Sequence, residues 1–159
     1  MSTLKNSNLN KFAYKSKLKF PNLYKKFVNY FFSKGKKNII KKQIDNVFNR
    51  LSKDLEITPN LLLLLFFNRL KTYVEVKKLK KRKRNFLVPT PITRSRRTYI
   101  SLFWLYSSIL LNKSKVSFEK KLYDELFLIL LNQPCTTIQF LEKNNTIAVE
   151  SRVFLHYRW

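Results

Sequence analysis

Of the 24 net positive charges on this chain, 22 fall in two blocks, and any fold must be built around that segregation. Residues 1 to 44 carry twelve lysines and no carboxylate, and residues 71 to 97 carry eleven basic residues against Glu75 alone. Residues 45 to 70 balance three bases with three acids, and residues 98 to 159 carry a net charge of +2. A uniformly cationic surface would serve solubility. Concentrated blocks repel within themselves, and are the electrostatic footprint of a polyanionic partner.

The rest of the composition narrows the function further. A chain of 159 residues can bury roughly two-thirds of its unfolded surface in one domain. The 45% apolar and 15% aromatic content supplies a core. The single Gly excludes Gly-rich phosphate loops, and the single Cys excludes a disulfide framework or a zinc site built on Cys pairs. One His leaves little for metal or acid–base chemistry, so no enzyme, cofactor or metal site is expected. The longest apolar stretches, Leu61 to Phe67 and Tyr99 to Leu111 with its serines 101, 107 and 108, fall short of the ~18 residues a bilayer span requires. Heavy use of Lys, Asn, Ile, Phe and Tyr with almost no Gly or Ala points to an AT-rich genome, as in an organelle. The start, MSTLKNSNLNKF, has no apolar signal region, and the first arginine is Arg50, so the chain is expected to work in the compartment that makes it.

Periodicity predicts a mainly α fold, with six helices in a single domain and a protruding two-stranded β-hairpin between the third and fourth. Residues 1–20 read as a basic arm and 21–159 as the helical domain. Pro21 opens a first helix with Leu23, Phe27, Tyr30 and Phe31 on one face. Gly35 sits where a left-handed C-cap is wanted. Ile40, Ile44, Val47, Phe48 and Leu51 form the stripe of a second helix. Thr58-Pro59 starts a third, apolar on nearly every side and so central. Tyr73, Val74 and Val76, then Phe86, Leu87 and Val88, flank a polar run and read as a ribbon over about 73–92, with Pro89 and Pro91 confining its second strand to an edge. Such a ribbon should project from the body and become ordered on its ligand. Thr93 caps a fourth helix to about Leu111, its inner side read as Ile100, Phe103, Trp104, Ser107 and Leu111. Phe118, Leu122, Leu126, Ile129 and Leu130 mark the fifth. The sixth is expected over about 135 to 154, with Ile138, Leu141, Ala148 and Val149 on one face.

The segment KKLKKRKR places Lys77, Lys78, Lys80, Lys81, Arg82, Lys83 and Arg84 at the hairpin tip, where a phosphate backbone would relieve their mutual repulsion. Arg94, Arg96 and Arg97 fall in the first turn of the fourth helix, where the macrodipole disfavours cations; a bound anion explains them better than helix stability does. The plainer alternatives are a solvated loop or localisation signal for the octamer, and ordinary surface arginines for the helix start. Cys135 follows Pro134 at a helix start, where a thiol pKa can fall, but an incidental thiol is the better reading. His156 has no visible catalytic partner. Lys120 and Lys121 stand four residues before Asp124 and Glu125, as surface ion pairs do.

Four motifs, in order, carry a family resemblance. The ending Phe154-Leu155-His156-Tyr157-Arg158-Trp159 resembles the F-A-H-Y-R-W terminus of the bacterial-type small-subunit ribosomal protein seven family. Residues Lys26 to Lys37, KFVNYFFSKGKK, are similar to that family's K-F-V-N-x-x-x-x-x-G-K-K, and VEVK at Val74 to Lys77 lies before Val88-Pro89 as in its hairpin. Arg96-Arg97 stands where the family has an arginine pair. The resemblance covers about residues 21 to 159 and implies the same six-helix fold with a hairpin. It further implies binding to the 3′ major domain of small-subunit rRNA, organisation of the subunit head beside neighbouring head proteins, and proximity to mRNA and exit-site tRNA. Carried over by position, the RNA-binding residues would be Lys36, Lys37, the basic residues from Lys77 to Arg84, Arg94, Arg96 and Arg97, with Arg158 in the terminal motif. Three departures stand out: Arg82-Lys83 replaces a Gly-Gly turn, the arm lacks arginine, and Asn144, Asn145 and Thr146 replace charged residues. Together with the AT bias they place the chain in the mitochondrial matrix, on its ribosome, rather than in a plastid. The competing readings are a non-ribosomal organellar DNA-packaging protein and a membrane-surface protein, the latter disfavoured because residues 1–20 show no continuous apolar helix face.

Overall fold

A helical stripe fixes the centre of the structure. Ile44, Val47, Phe48 and Leu51 are all buried on one side of a helix spanning Lys37–Leu55, and they recur at the spacing that brings side chains onto one face. The computed structural model describes residues 20–32, 35–81 and 83–157. The arm expected over 1–20, up to Phe20, lies outside the described residues, as do Arg82 and Arg158.

Six α-helices and one hairpin follow in the expected order: α1 (Phe20–Phe31), α2 (Lys37–Leu55), α3 (Pro59–Arg69), β1 (Val74–Lys81), β2 (Arg84–Pro91), α4 (Arg94–Leu111), α5 (Phe118–Leu130) and α6 (Thr136–Glu150). A 3-10 helix, Ser151–Tyr157, completes the described chain. Gly35 turns the chain between α1 and α2 at φ +77°, a left-handed conformation open to residues without a Cβ. Pro59 begins α3, whose Leu61, Leu62, Leu63 and Phe66 are buried on several sides, as a central helix requires. The Phe27 ring of α1 meets Phe48 of α2 at 5.5 Å and Phe66 of α3 at 5.9 Å, both edge-on, which locks the first three helices together.

Two inner faces differ from the expectation. On α4 the buried residues are Ile100, Ser101, Leu102, Trp104, Leu105, Ser108 and Ile109, while Phe103 and Leu111 point outward. The helix packs against α1, α5 and α6 at once, so its buried face is wide. Ser101 and Ser108 are accepted there because their hydroxyls donate to carbonyls, Ser101 to Leu70 at 3.1 Å and Ser108 to Leu105 at 2.8 Å. The last α-helix stops at Glu150 rather than about 154, and Val149 is exposed. Its buried residue is Thr137, whose hydroxyl lies 2.9 Å from both Glu125 Oε2 and Ser108 Oγ. Glu125 is therefore a buried acceptor and not half of a surface pair; Lys121 donates instead to the Asn112 carbonyl at 2.7 Å.

The ribbon pairs Val74 with Pro91 and Lys81 with Arg84 in an antiparallel register. Its base belongs to the body: Val88 and Pro89 are buried, Ile92 N–H donates to the Tyr73 carbonyl, and Asn144 Nδ2 of α6 donates to the Val74 carbonyl at 2.9 Å. Further out, Phe86 packs against Phe154 and Tyr157 of the 3-10 helix, with centroids 5.3 and 5.2 Å apart. The C-terminal segment thus braces the ribbon, a support that periodicity alone does not reveal.

Candidate nucleic-acid interface

The distal half of the ribbon concentrates charge by simple strand geometry. Side chains alternate across a strand, so Lys77 and Lys81 share the face of Phe86 while Lys78 and Lys80 take the opposite one. All four are exposed, as are Lys83 and Arg84. Like charges set directly across a ladder are destabilising, and Lys81 faces Arg84. Lys81 gains one internal partner, the Tyr157 ring, 4.8 Å from its ammonium. Neither face of the tip carries a carboxylate.

The helix-start arginines divide their work. Arg96 forks onto Glu75 of β1, with Nε–Oε2 at 3.2 Å and Nη2–Oε1 at 2.7 Å, and this is the single ion pair among the described residues. Its guanidinium also lies 4.9 Å from the Tyr99 ring, and the hydrogen bond to Glu75 raises its pKa further. The Arg97 guanidinium sits 4.7 Å from the Tyr73 ring, which Lys71 approaches at 5.0 Å. The Arg97 Nε is buried with no hydrogen-bond partner. Lys71 donates to the Tyr73 hydroxyl and, with Arg97, lowers its pKa. Arg94 is exposed. Lys36 and Lys37 are exposed at the start of α2, beside the Gly35 turn.

The structure gathers some of these residues and separates others. Arg94 and Arg97 share a cleft of about 830 Å³ with Lys26 of α1 and Lys71, over a floor that includes Leu23 and Phe67. Lys81, Lys83, Arg84 and Phe86 line a second, at the tip. Lys36 and Lys37 line neither. Sequence reasoning missed Lys71, Tyr73, Tyr99 and the pairing role of Glu75. The usable signal was local: Arg96 and Tyr99 stand three residues apart on one helix, and Glu75 is the lone acid of its block.

The other candidates carry no chemistry of their own. Cys135 is buried at the start of α6, and desolvation pushes its thiol pKa up rather than down. His156 lies against Tyr157, its Nδ1 3.0 Å from the Val153 carbonyl. Among the described residues no group of three or more His, Cys, Asp or Glu could hold a metal ion, and no helix is long and apolar enough to cross a membrane.

Comparison with known proteins assigns this arrangement to a family. Residues 2–147 match the model of the family described as ribosomal protein S7p/S5e, starting well before the expected residue 21 and stopping short of the terminal hexapeptide. The chain is 28% identical over 137 residues to the small ribosomal subunit protein uS7 of Syntrophus aciditrophicus, covering 86% of each chain. It is 29% identical over 134 residues to uS7 of Wigglesworthia glossinidia brevipalpis, covering 84% of this chain and 85% of the relative. To the small ribosomal subunit protein uS7m of Reclinomonas americana it is 23% identical over 141 residues, covering 87% and 86%. This is a family of structural ribosomal proteins and not of enzymes, and the chain belongs to it.

Proposed function

We propose that this chain is a small-subunit ribosomal protein that binds rRNA through its basic ribbon and the arginine-bearing start of α4, with Lys36 and Lys37 as a further contact. The single observation that carries this reading is the ribbon itself. It is braced at its base and along Phe86, and it presents exposed cations on both faces with no acid at the tip. Such a prong suits duplex RNA, which offers shape, phosphates and 2′-hydroxyls rather than base edges. By its kinship with proteins named uS7, the RNA is the 3′ major domain of small-subunit rRNA, and the chain organises the subunit head with its neighbouring proteins. The hairpin tip and α6 then lie nearest mRNA and exit-site tRNA. The AT-biased composition and the uS7m relative favour a mitochondrial ribosome.

Crosslinking the chain to RNA in its own cells and sequencing the bound segment tests this. Recovery of the 3′ major domain, with co-sedimentation in the small subunit at low salt, is expected. Recovery of genomic DNA would instead support a packaging protein.

A further inference from the structure

The cleft between α1, α3 and the start of α4 is built differently from the ribbon. Its rim is cationic, with Lys26, Lys71, Arg94 and Arg97, but its floor includes the apolar faces of Leu23 and Phe67. No side chain caps the N-terminus of α4; the Thr93 hydroxyl stands near Ser95 Oγ instead of a backbone amide. Ser95 and Thr98 line this cleft and also a smaller neighbouring one of about 310 Å³ that reaches Tyr30 and Tyr99, so the two form one groove. The buried, unpartnered Arg97 Nε marks a donor left unsatisfied at this place.

A duplex backbone matches the rim and not the floor. Phosphates are satisfied by cations and helix-start amides, whereas Leu23 and Phe67 lose water only against a flat, weakly polar surface. A nucleobase with its phosphate attached has both features. At about 830 Å³ the cleft falls within the ~300–1,000 Å³ range of small-ligand sites. The chain's own N-terminal segment is a poor occupant, since residues 1–19 carry five lysines and no acid, and the rim would repel them.

We propose that this groove receives an unpaired, extruded RNA nucleotide, its base on the Phe67 side and its phosphate among Arg94, Arg97 and the first amides of α4. The proposal rests on the RNA-binding reading above, and assigns to this one groove a readout of single-stranded structure that the ribbon does not provide.

The test uses the full chain and two synthetic RNA hairpins, one fully paired and one carrying a single 4-thiouridine bulge. The bulged RNA is expected to bind about tenfold tighter, the scale of one stacked base. Ser95→Tyr, which fills the groove without changing charge, should remove that preference while leaving the paired hairpin's affinity unchanged. Photo-crosslinks from the bulge should map to residues 64–71 or 94–101. Equal wild-type affinities, a preference that survives Ser95→Tyr in a folded variant, or crosslinks confined to the ribbon would each overturn the proposal and leave the RNA-binding reading intact. If neither RNA binds, the RNA-binding reading itself fails and this one with it.

Discussion

Arg96 in the first turn of α4 and Glu75 on β1 form a two-pronged ion pair across the junction of helix and ribbon. One cation of the basic block is thereby tied to the block's one acid, and the ribbon's base is fixed to the helix that follows it. The Arg96 side chain remains 49% exposed, so the pair is solvent-screened and contributes on the scale of surface pairs, about 0.2–1 kcal/mol. Glu75→Gln should therefore lower Tm only slightly. By releasing a guanidinium it should steepen the salt dependence of RNA binding by nearly one phosphate's worth. Thermal melts and a salt titration of affinity check both halves.

Neutralising Lys80, Lys81, Lys83 and Arg84 to Ser removes four exposed charges from the tip without touching a buried contact. Helix content by circular dichroism should be unchanged. If the wild type makes roughly six to ten phosphate contacts, its affinity falls by about three to five orders of magnitude between 50 and 200 mM salt. The variant's log–log slope should be shallower by about three to four. A slope equal to the wild type's would show that the tip does not touch phosphate.

Phe154→Ala takes away one ring of the brace on Phe86. Aromatic pairs of this kind contribute about 0.5–1.5 kcal/mol beyond their buried area. Hydrogen exchange should consequently accelerate in the ladder amides of Arg84 to Val88, with little change in α2 and α3. Uniform acceleration across all helices would mean that the segment supports the whole domain.

Salt should act on fold and function in opposite directions. A chain of net charge +24 repels itself, and among its described residues it has one ion pair to lose. Screening should raise the Tm of the free protein by about 2–4 °C for each kcal/mol of repulsion removed, while RNA affinity falls. Differential scanning fluorimetry at 50 and 300 mM NaCl reads the first effect.

Tyrosines set the alkaline limit. Burial, reinforced by Tyr99, pushes the Tyr30 hydroxyl up to about 12, and burial with the hydrogen bond to Asp45 pushes Tyr24 up as well. An unfolded tyrosine titrates near 10, so above that pH the unfolded chain releases protons that the native chain keeps. The stabilisation is complete below about pH 10 and is lost as pH rises towards the folded values. Tyr30→Phe should accordingly lose less Tm between pH 9 and 11 than the wild type does.

Most of the architecture was legible in the sequence because long helices with clean stripes advertise their inner faces. In α2 each of Ile44, Val47, Phe48 and Leu51 is buried as its spacing predicts, and Gly35 has the positive φ expected of it. The misreadings share one cause, which is polar groups buried with a partner. Ser101, Ser108, Thr137 and Glu125 look like surface residues until their hydrogen bonds are known, and those bonds depend on which helices meet. The site was legible as a block of charge; its internal division was not. That Arg96 would turn to Glu75 and Arg97 to Tyr73 depends on the ribbon folding back against α4, a tertiary fact with no periodic signature.

The brace of Phe154 and Tyr157 on Phe86 has a bearing on subunit assembly. With the ribbon held along its length, the entropy of ordering that part of the interface is lost when the polypeptide folds and not when RNA arrives. The lysines then stand at a set height over the bundle before any transcript is present. For nucleic acid still sampling alternative pairings, such a prong is a jig: conformers whose strands fall at its spacing are retained, and the others exchange away.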